Sequence, residues 1–232
     1  MLNQAIKLIF LNMALVLTAF LSCSKSDDSG SALVDPNGLT RDINEIVPDS
    51  LLDAIKKLGM PVNTGGSPPN LQGAYFLSPF ILDSTNIPND YPIGKQFADY
   101  YLNFTNQNFR DLTVNIDYRN GGETGNGIGS YIVGKGSNFS VFSRITSHNP
   151  AQTDSAYILF LFSGSKSNDG LHNMYVALFM LDDLGDPSGY FIENGHGRVF
   201  YDSDELSTPI TWNFPKQSTE KSGTRPTISS GD

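Results

Sequence analysis

A single cysteine, Cys23, is all the thiol chemistry this chain holds, so no internal disulfide can form and the fold must rest on burial and hydrogen bonding. Histidine is scarce too. His148, His172 and His196 stand alone, without the H-x-x-x-H spacing or neighbouring ligand types that a zinc site needs. Positive charge is short: 15 Lys and Arg face 24 Asp and Glu, for a net charge of −9. That balance argues against nucleic acid, whose phosphates demand clustered cations, and against docking to anionic lipid through charge. No apolar run reaches the roughly 20 residues of a membrane-spanning helix. No G-x-S-x-G is present to expose a serine nucleophile.

What is present begins with Leu8 to Ser22, an uncharged and largely apolar run behind Lys7 and directly before Cys23. This has the outline of a secretory signal. Phe20, Leu21 and Ser22 before the cysteine resemble the cleavage box of bacterial lipoproteins, which implies a signal peptide over residues 1–22 and a lipid on Cys23. Ser24, Lys25, Ser26, Asp27 and Asp28 resemble the polar, acidic segment that routes Bacteroidetes lipoproteins to the outer face of the outer membrane. Each buried acyl methylene contributes about 0.8 kcal/mol, so two or three chains would hold the protein in the cell envelope. A plain secretory peptide is the alternative, and it leaves an unpaired thiol on an exported chain.

Residues 23–44 are small and polar, the composition of a flexible tether. The folded part is then a single domain over 45–214, with residues 215–232 a disordered polar tail. A short helix is predicted over Pro48–Leu58. Leu51, Leu52, Ile55 and Leu58 form one apolar stripe, Ser50 and Asp53 form a capping box, and Gly59 and Pro61 supply the stop. One stripe on so short a helix must lie on something else.

From Gly73 the period changes to two. Strands are predicted over Gly73–Phe80, Tyr100–Thr105, Asp111–Tyr118, Ile128–Val133, Phe139–Ile145, Ala156–Phe162, Met174–Leu181 and Gly197–Tyr201, with a further short segment at Pro209–Phe214. Ile81–Lys95 is expected to be a surface loop because of its prolines, and Asn120–Gly129 a turn cluster because of its glycines. Leu112, Val114, Ile116 and Tyr118 share one face of their strand, with Thr113, Asn115 and Asp117 on the other. Ala156–Phe162 and Met174–Leu181 are apolar on both faces, which requires a second layer; the helix is the candidate.

These features point to an all-β fold of about eight antiparallel strands in a meander, with one short N-terminal helix packed on it. A two-sheet sandwich fits the count as well, but hairpin order and short links favour closure, which removes edge strands. Asn70–Phe80 (NLQGAYFLSPF), the preceding GMPVNTGG and the late GHGRVFYD resemble a Bacteroidetes outer-membrane lipoprotein family. Gly73, Ala74 and Tyr75 are similar to the G-x-W opening of lipocalins and other calycins. That resemblance implies a lipocalin-like β-barrel with an interior able to hold a ligand.

The aromatics carry the main binding signal. Tyr75, Tyr100, Phe104 and Tyr118 can line one interior that is apolar with hydroxyl handles, or can simply fill it. Asp99, Asp111, Asp117 and Glu123 are the carboxylates a glycosidase would use, yet Asp111 and Asp117 alternate with the apolar face and point outward. Asp182, Asp183 and Asp186 lack calcium-loop spacing. Gly125, Gly127 and Gly129 lead into a strand and not a helix, so they offer no anion site. Ser165 sits in turn composition. Asp83-Ser84-Thr85 and Asp154-Ser155-Ala156 resemble sites that Bacteroidetes glycosylate through oxygen. The expectation is a membrane-anchored lipoprotein that binds a small apolar or glycan-like ligand, with no catalytic residue, metal or cofactor. A surface interaction or adhesion protein working through its loops is the alternative, and a hydrolase the least favoured.

Overall fold

The computed structural model describes residues 33–148 and 154–214. The expected signal peptide, Cys23 and the 215–232 tail lie outside these residues. Two short helices open the described chain, α1 (Arg41–Ile46) and α2 (Asp49–Lys57). Thr40 caps α1 by accepting the Ile43 N–H at 3.2 Å, and Asp42 complements the helix dipole. In α2 the capping residue is Pro48, whose carbonyl accepts from Leu51 and Leu52; the Ser50–Asp53 box expected from the sequence does not form, since Ser50 already lies inside the first turn. Lys56 and Lys57 sit at the negative end of the dipole, and Gly59 adopts φ 84° to end the helix.

Order begins earlier than composition suggests. Leu39 and Ile43, inside the stretch expected to be a tether, are buried, because Thr40 supplies a cap and Ile43 a core anchor within an otherwise polar segment.

The strands are β1 (Gly66–Ser67), β2 (Gly73–Leu77), β3 (Phe80–Thr85), β4 (Tyr100–Asn108), β5 (Thr113–Asn120), β6 (Glu123–Lys135), β7 (Asn138–His148), β8 (Ser155–Lys166), β9 (Leu171–Asp182), β10 (Gly197–Asp202) and β11 (Leu206–Ile210). Hydrogen bonding runs β11-β2-β4-β5-β6-β7-β8-β9, and β9 pairs back onto β11, closing a ring of eight strands. The protein is all-β in its main architecture. β2 and β3 behave as one strand bent at Ser78-Pro79, and β10 and β11 as another bent at Ser203–Glu205: β3 pairs with β10 where β2 pairs with β11. Only the two-residue β1 runs parallel, beside Gly134 and Lys135 of β6.

Two stretches differ from their sequence reading. Residues 81–85, expected in a loop, belong to β3 (Phe80–Thr85), with Phe80 and Leu82 buried; Pro79 lacks an N–H and interrupts the strand, so that β2 pairs with β4 and β11 while β3 pairs with β10. Of the expected turn cluster only Gly121 and Gly122 turn, while Glu123–Gly129 belongs to β6. The glycines there serve close packing. A Cβ on Gly125 would run into the Tyr118 ring, and one on Gly127 into Ser143.

Two apolar clusters divide the core. Inside the ring, Leu77, Leu102, Phe104, Val114, Ile116, Phe139, Phe160, Phe162, Met174 and Val176 pack together. Outside, Val133, Phe142, Leu159, Leu161, Ala177, Phe179 and Val199 pack against Leu39, Ile43, Val47, Leu51, Leu52 and Ile55. β8 and β9 are thus dry on both faces and covered by helices, as their unbroken apolar runs require. β5 keeps the expected alternation, with Val114, Ile116 and Tyr118 buried and Thr113, Asn115 and Asp117 half-exposed. Asn63, past the helices, donates to Phe139 O at 2.8 Å and to Ser163 Oγ at 3.1 Å, fixing the covering segment to the wall.

Candidate functional site

The site stands at one end of the ring, here the upper end, where β3, β5, β7 and β9 finish. Tyr100 opens β4 and Tyr118 lies opposite Leu102 near the end of β5, so the inward-facing alternation of both strands brings the two rings together. They stack with centroids 5.6 Å apart and an interplanar angle of 16°. Gly125 faces Tyr118 across β5 and β6 and leaves room for its ring. Phe160 lies 5.0 Å from Tyr118 and Phe80 lies 5.1 Å from Tyr100, while Phe80 stacks on Phe200 at 4.8 Å.

The aromatic walls leave a small void of about 20 Å³ bounded by Phe80, Phe97, Tyr100, Tyr118, Glu123 and Phe200. That volume suits about one water molecule. Tyr100 and Tyr118 are each only 3% exposed, and neither hydroxyl has a hydrogen-bond partner among the described residues. Burial drives both phenol pKa values up, and the nearby Glu123 carboxylate adds to the effect. Both hydroxyls therefore stay protonated and remain potential donors. A buried hydroxyl left unbonded costs about 1–3 kcal/mol, so the pair favours any guest that can bond to it.

The β3–β4 connection closes this end. Its return, residues 94–97, lies beside β3 through Leu82 N–H to Lys95 O at 2.9 Å and Phe97 N–H to Phe80 O at 2.8 Å. Asp90 accepts two hydrogen bonds from Arg198, Nε at 2.7 Å and a terminal nitrogen at 2.5 Å, plus one from Thr85 Oγ1 at 2.6 Å. The Arg198 and Asp90 side chains are 0% and 1% exposed. Burial alone would raise the Asp90 carboxyl; the hydrogen bonds from Arg198, Thr85 and a backbone N–H, with the charge of Arg198, outweigh it and hold the pKa below the ordinary value. Above the pair, Tyr91 and Phe97 meet edge to face at 5.4 Å, and Lys95 Nζ sits 3.2 Å over the Tyr91 ring.

All four aromatics singled out in the sequence are buried in the interior cluster, but only Tyr100 and Tyr118 border the void. Tyr75 donates its hydroxyl to Leu71 O at 3.1 Å, and Phe104 packs edge-on to Phe139 and Phe162 in the filled lower half. Phe80, Phe97, Phe160 and Phe200 are not among the site candidates of the sequence, and Glu123, a candidate there as a glycosidase carboxylate, borders the void without its suggested partners Asp99, Asp111 and Asp117. Phe160 lies in a run apolar on both faces, which does not mark an inward side, and Phe97 lies between the expected loop Ile81–Lys95 and the strand from Tyr100.

The other candidates remain apart. His172 pairs with Asp169, His196 with Glu193 and His148 with Ser155, each a local contact. No group of three metal-ligating side chains occurs among the described residues. Asp182, Asp183 and Asp186 accept backbone N–H groups of their own turn. Asp111 is bonded to Asn108 at the lower end, far along β5 from Asp117 and Glu123. Ser84 Oγ donates to Leu58 O, which ties β3 to the end of α2. Among the described residues no helix is long and apolar enough to cross a membrane. The chain matches no protein-family model, no curated protein and no solved structure.

Proposed function

We propose that this is an envelope lipoprotein, held to the outer membrane through Cys23, whose ring is a lipocalin-like barrel binding a small apolar molecule with one polar group at its upper mouth. The observation that carries the reading is the pair of buried hydroxyls on Tyr100 and Tyr118, without a hydrogen-bond partner among the described residues, over an aromatic-walled void. Such a wall with a few convergent polar groups is the usual make-up of a small-molecule site. The lower interior is packed with phenylalanine, so the guest belongs to the mouth and not to the depth of the ring. A guest larger than water needs space now taken by Phe97 and its neighbours. No step of catalysis is required by this arrangement.

The test has two arms. The full chain is titrated with the apolar fluorophore N-phenyl-1-naphthylamine; saturable emission, weakened in Tyr100→Phe and Tyr118→Phe together, is expected, and no binding to the folded protein would refute the ligand reading. Cell fractionation of Cys23→Ala tests the anchor: the variant should leave the membrane fraction, and retention there would refute it.

A further inference from the structure

Among the described residues, helices cover the outer wall of the ring on one side. On the other, β2, β4 and β5 present Phe76, Tyr101, Asp117 and Arg119, all half-buried. The chain that leaves β11 doubles back over this face and lays Trp212 and Phe214 on it. Phe214 meets Tyr101 edge to face at 5.1 Å and Trp212 at 4.8 Å, and Phe76 lies 4.8 Å from Tyr101. Arg119 places its guanidinium 4.9 Å from the Phe214 ring centre, with Nε donating to Gly121 O at 3.3 Å.

Two hollows adjoin at the Arg119–Phe214 contact. One, about 110 Å³, is bordered by Asp117, Arg119, Thr124 and Trp212; the other, about 340 Å³ and more open, by Asp99, Tyr101, Arg119 and Gly121. Both lie along the face that carries Tyr101, Asp117 and Arg119; the smaller also touches Tyr118, which borders the void, while Tyr100 and Phe200 line only the void. The chemistry of the two regions differs as well. The mouth offers two tyrosine hydroxyls and Glu123 among phenylalanine rings, whereas the groove sets aromatic rings beside two carboxylates and a guanidinium.

We infer that this groove is a saccharide site for a neutral oligosaccharide of at least two sugar rings. A pyranose has one face of C–H groups, which rests on an aromatic ring, and a rim of hydroxyls. Adjacent hydroxyls are best met by planar groups that accept or donate two hydrogen bonds at once, as carboxylate and guanidinium do. Charges of both signs around one groove serve hydroxyls without selecting a charged ligand. A purely apolar guest would strand those charges, and the acidic chain gives no field to attract a polyanion. Two hollows either side of Arg119 match consecutive rings, with Arg119 reaching both.

The chain has one tryptophan and it lines the groove, so its emission reports on this site alone. The purified full chain is titrated with cellotriose, maltotriose, xylotriose and chitotriose, up to about 10 mM, which detects even millimolar affinity. At least one should shift or quench Trp212 emission saturably. Arg119→Ala should weaken that binding at least tenfold, and Asp117→Asn should weaken it too. Tyr100→Phe, at the mouth, should leave it unchanged, which separates this site from the mouth reading. Calorimetry of Trp212→Phe against the same sugar gives a second measurement should Arg119→Ala fail to fold; loss of heat is expected. No response to any of the four sugars overturns the inference, as does a response that survives Arg119→Ala and Asp117→Asn undiminished.

Discussion

The carboxyl of Asp202 contributes a stability that falls as pH rises from about 4 to about 6. Asp202 ends β10 at the bend where the ring closes, opposite Phe80, and is 1% exposed. Ser207 Oγ donates to one carboxylate oxygen at 2.7 Å; the other oxygen has no partner among the described residues. Burial, with the nearby Asp204 carboxylate, pushes its pKa from 3.8 up to about 6 against the lowering effect of Ser207 and of a backbone hydrogen bond at Ser78. In the unfolded chain the group ionises near 3.8, in the folded chain near 6, so between those values the folded state holds the extra proton. Stability from this group is full below the lower value, declines through the window and is flat above it. The decline amounts to about 1.5–3 kcal/mol, the lower figure allowing for solvent screening from the Asp204 side. Urea unfolding followed by Trp212 emission at a series of pH values, for the wild type and for Asp202→Asn, isolates the contribution of Asp202 with its neighbour Asp204, because groups that do not interact with Asp202 cancel in the difference. Asn cannot ionise. The variant should therefore gain on the wild type by that amount between pH 4 and pH 7. A difference that stays constant to within about 0.5 kcal/mol across this range would refute the reasoning.

Substitutions at the buried ion pair and at the interior tyrosines give two further tests. Arg198→Met leaves the Asp90 carboxylate buried without its cation and should cost about 3–5 kcal/mol in denaturant unfolding, whereas Asp90→Leu combined with Arg198→Met should recover most of that loss. Tyr75→Phe removes a hydroxyl bonded to Leu71 O and should cost about 1 kcal/mol; Tyr100→Phe removes one with no partner and should be neutral or slightly stabilising, so equal costs for the two would contradict the assignment of the mouth hydroxyls.

Much of the architecture was legible in the residue pattern. The period-two run Leu112–Tyr118 names its own buried face. The unbroken apolar runs at Ala156–Phe162 and Met174–Leu181 announce a second layer, and α2 with α1 provides it. The α2 stripe gives the helix to within a residue at each end. The departures within the sheet share one cause: glycine and proline form turns by default, and tertiary contact has another use for them here. Gly125 and Gly127 are small because rings and hydroxyls of neighbouring strands lie against them, and Pro79 sits at the bend between β2 and β3, which pair with the consecutive strands β11 and β10. Thr40 and Ile43 order a polar stretch because a core waits for Ile43, which composition does not record.

Alternation along the chain was enough to determine that strands form in order, that two of them are dry on both sides and that one short helix lies over them, because side-chain period is a local property. Which aromatics meet was decided only in three dimensions. Tyr100 and Tyr118 are joined by register across β4 and β5, Arg198 and Asp90 by a loop returning over the mouth, and Trp212 and Arg119 by a terminal segment doubling back on the wall. Register and loop path depend on how the whole ring closes, and no stretch of sequence contains that closure by itself.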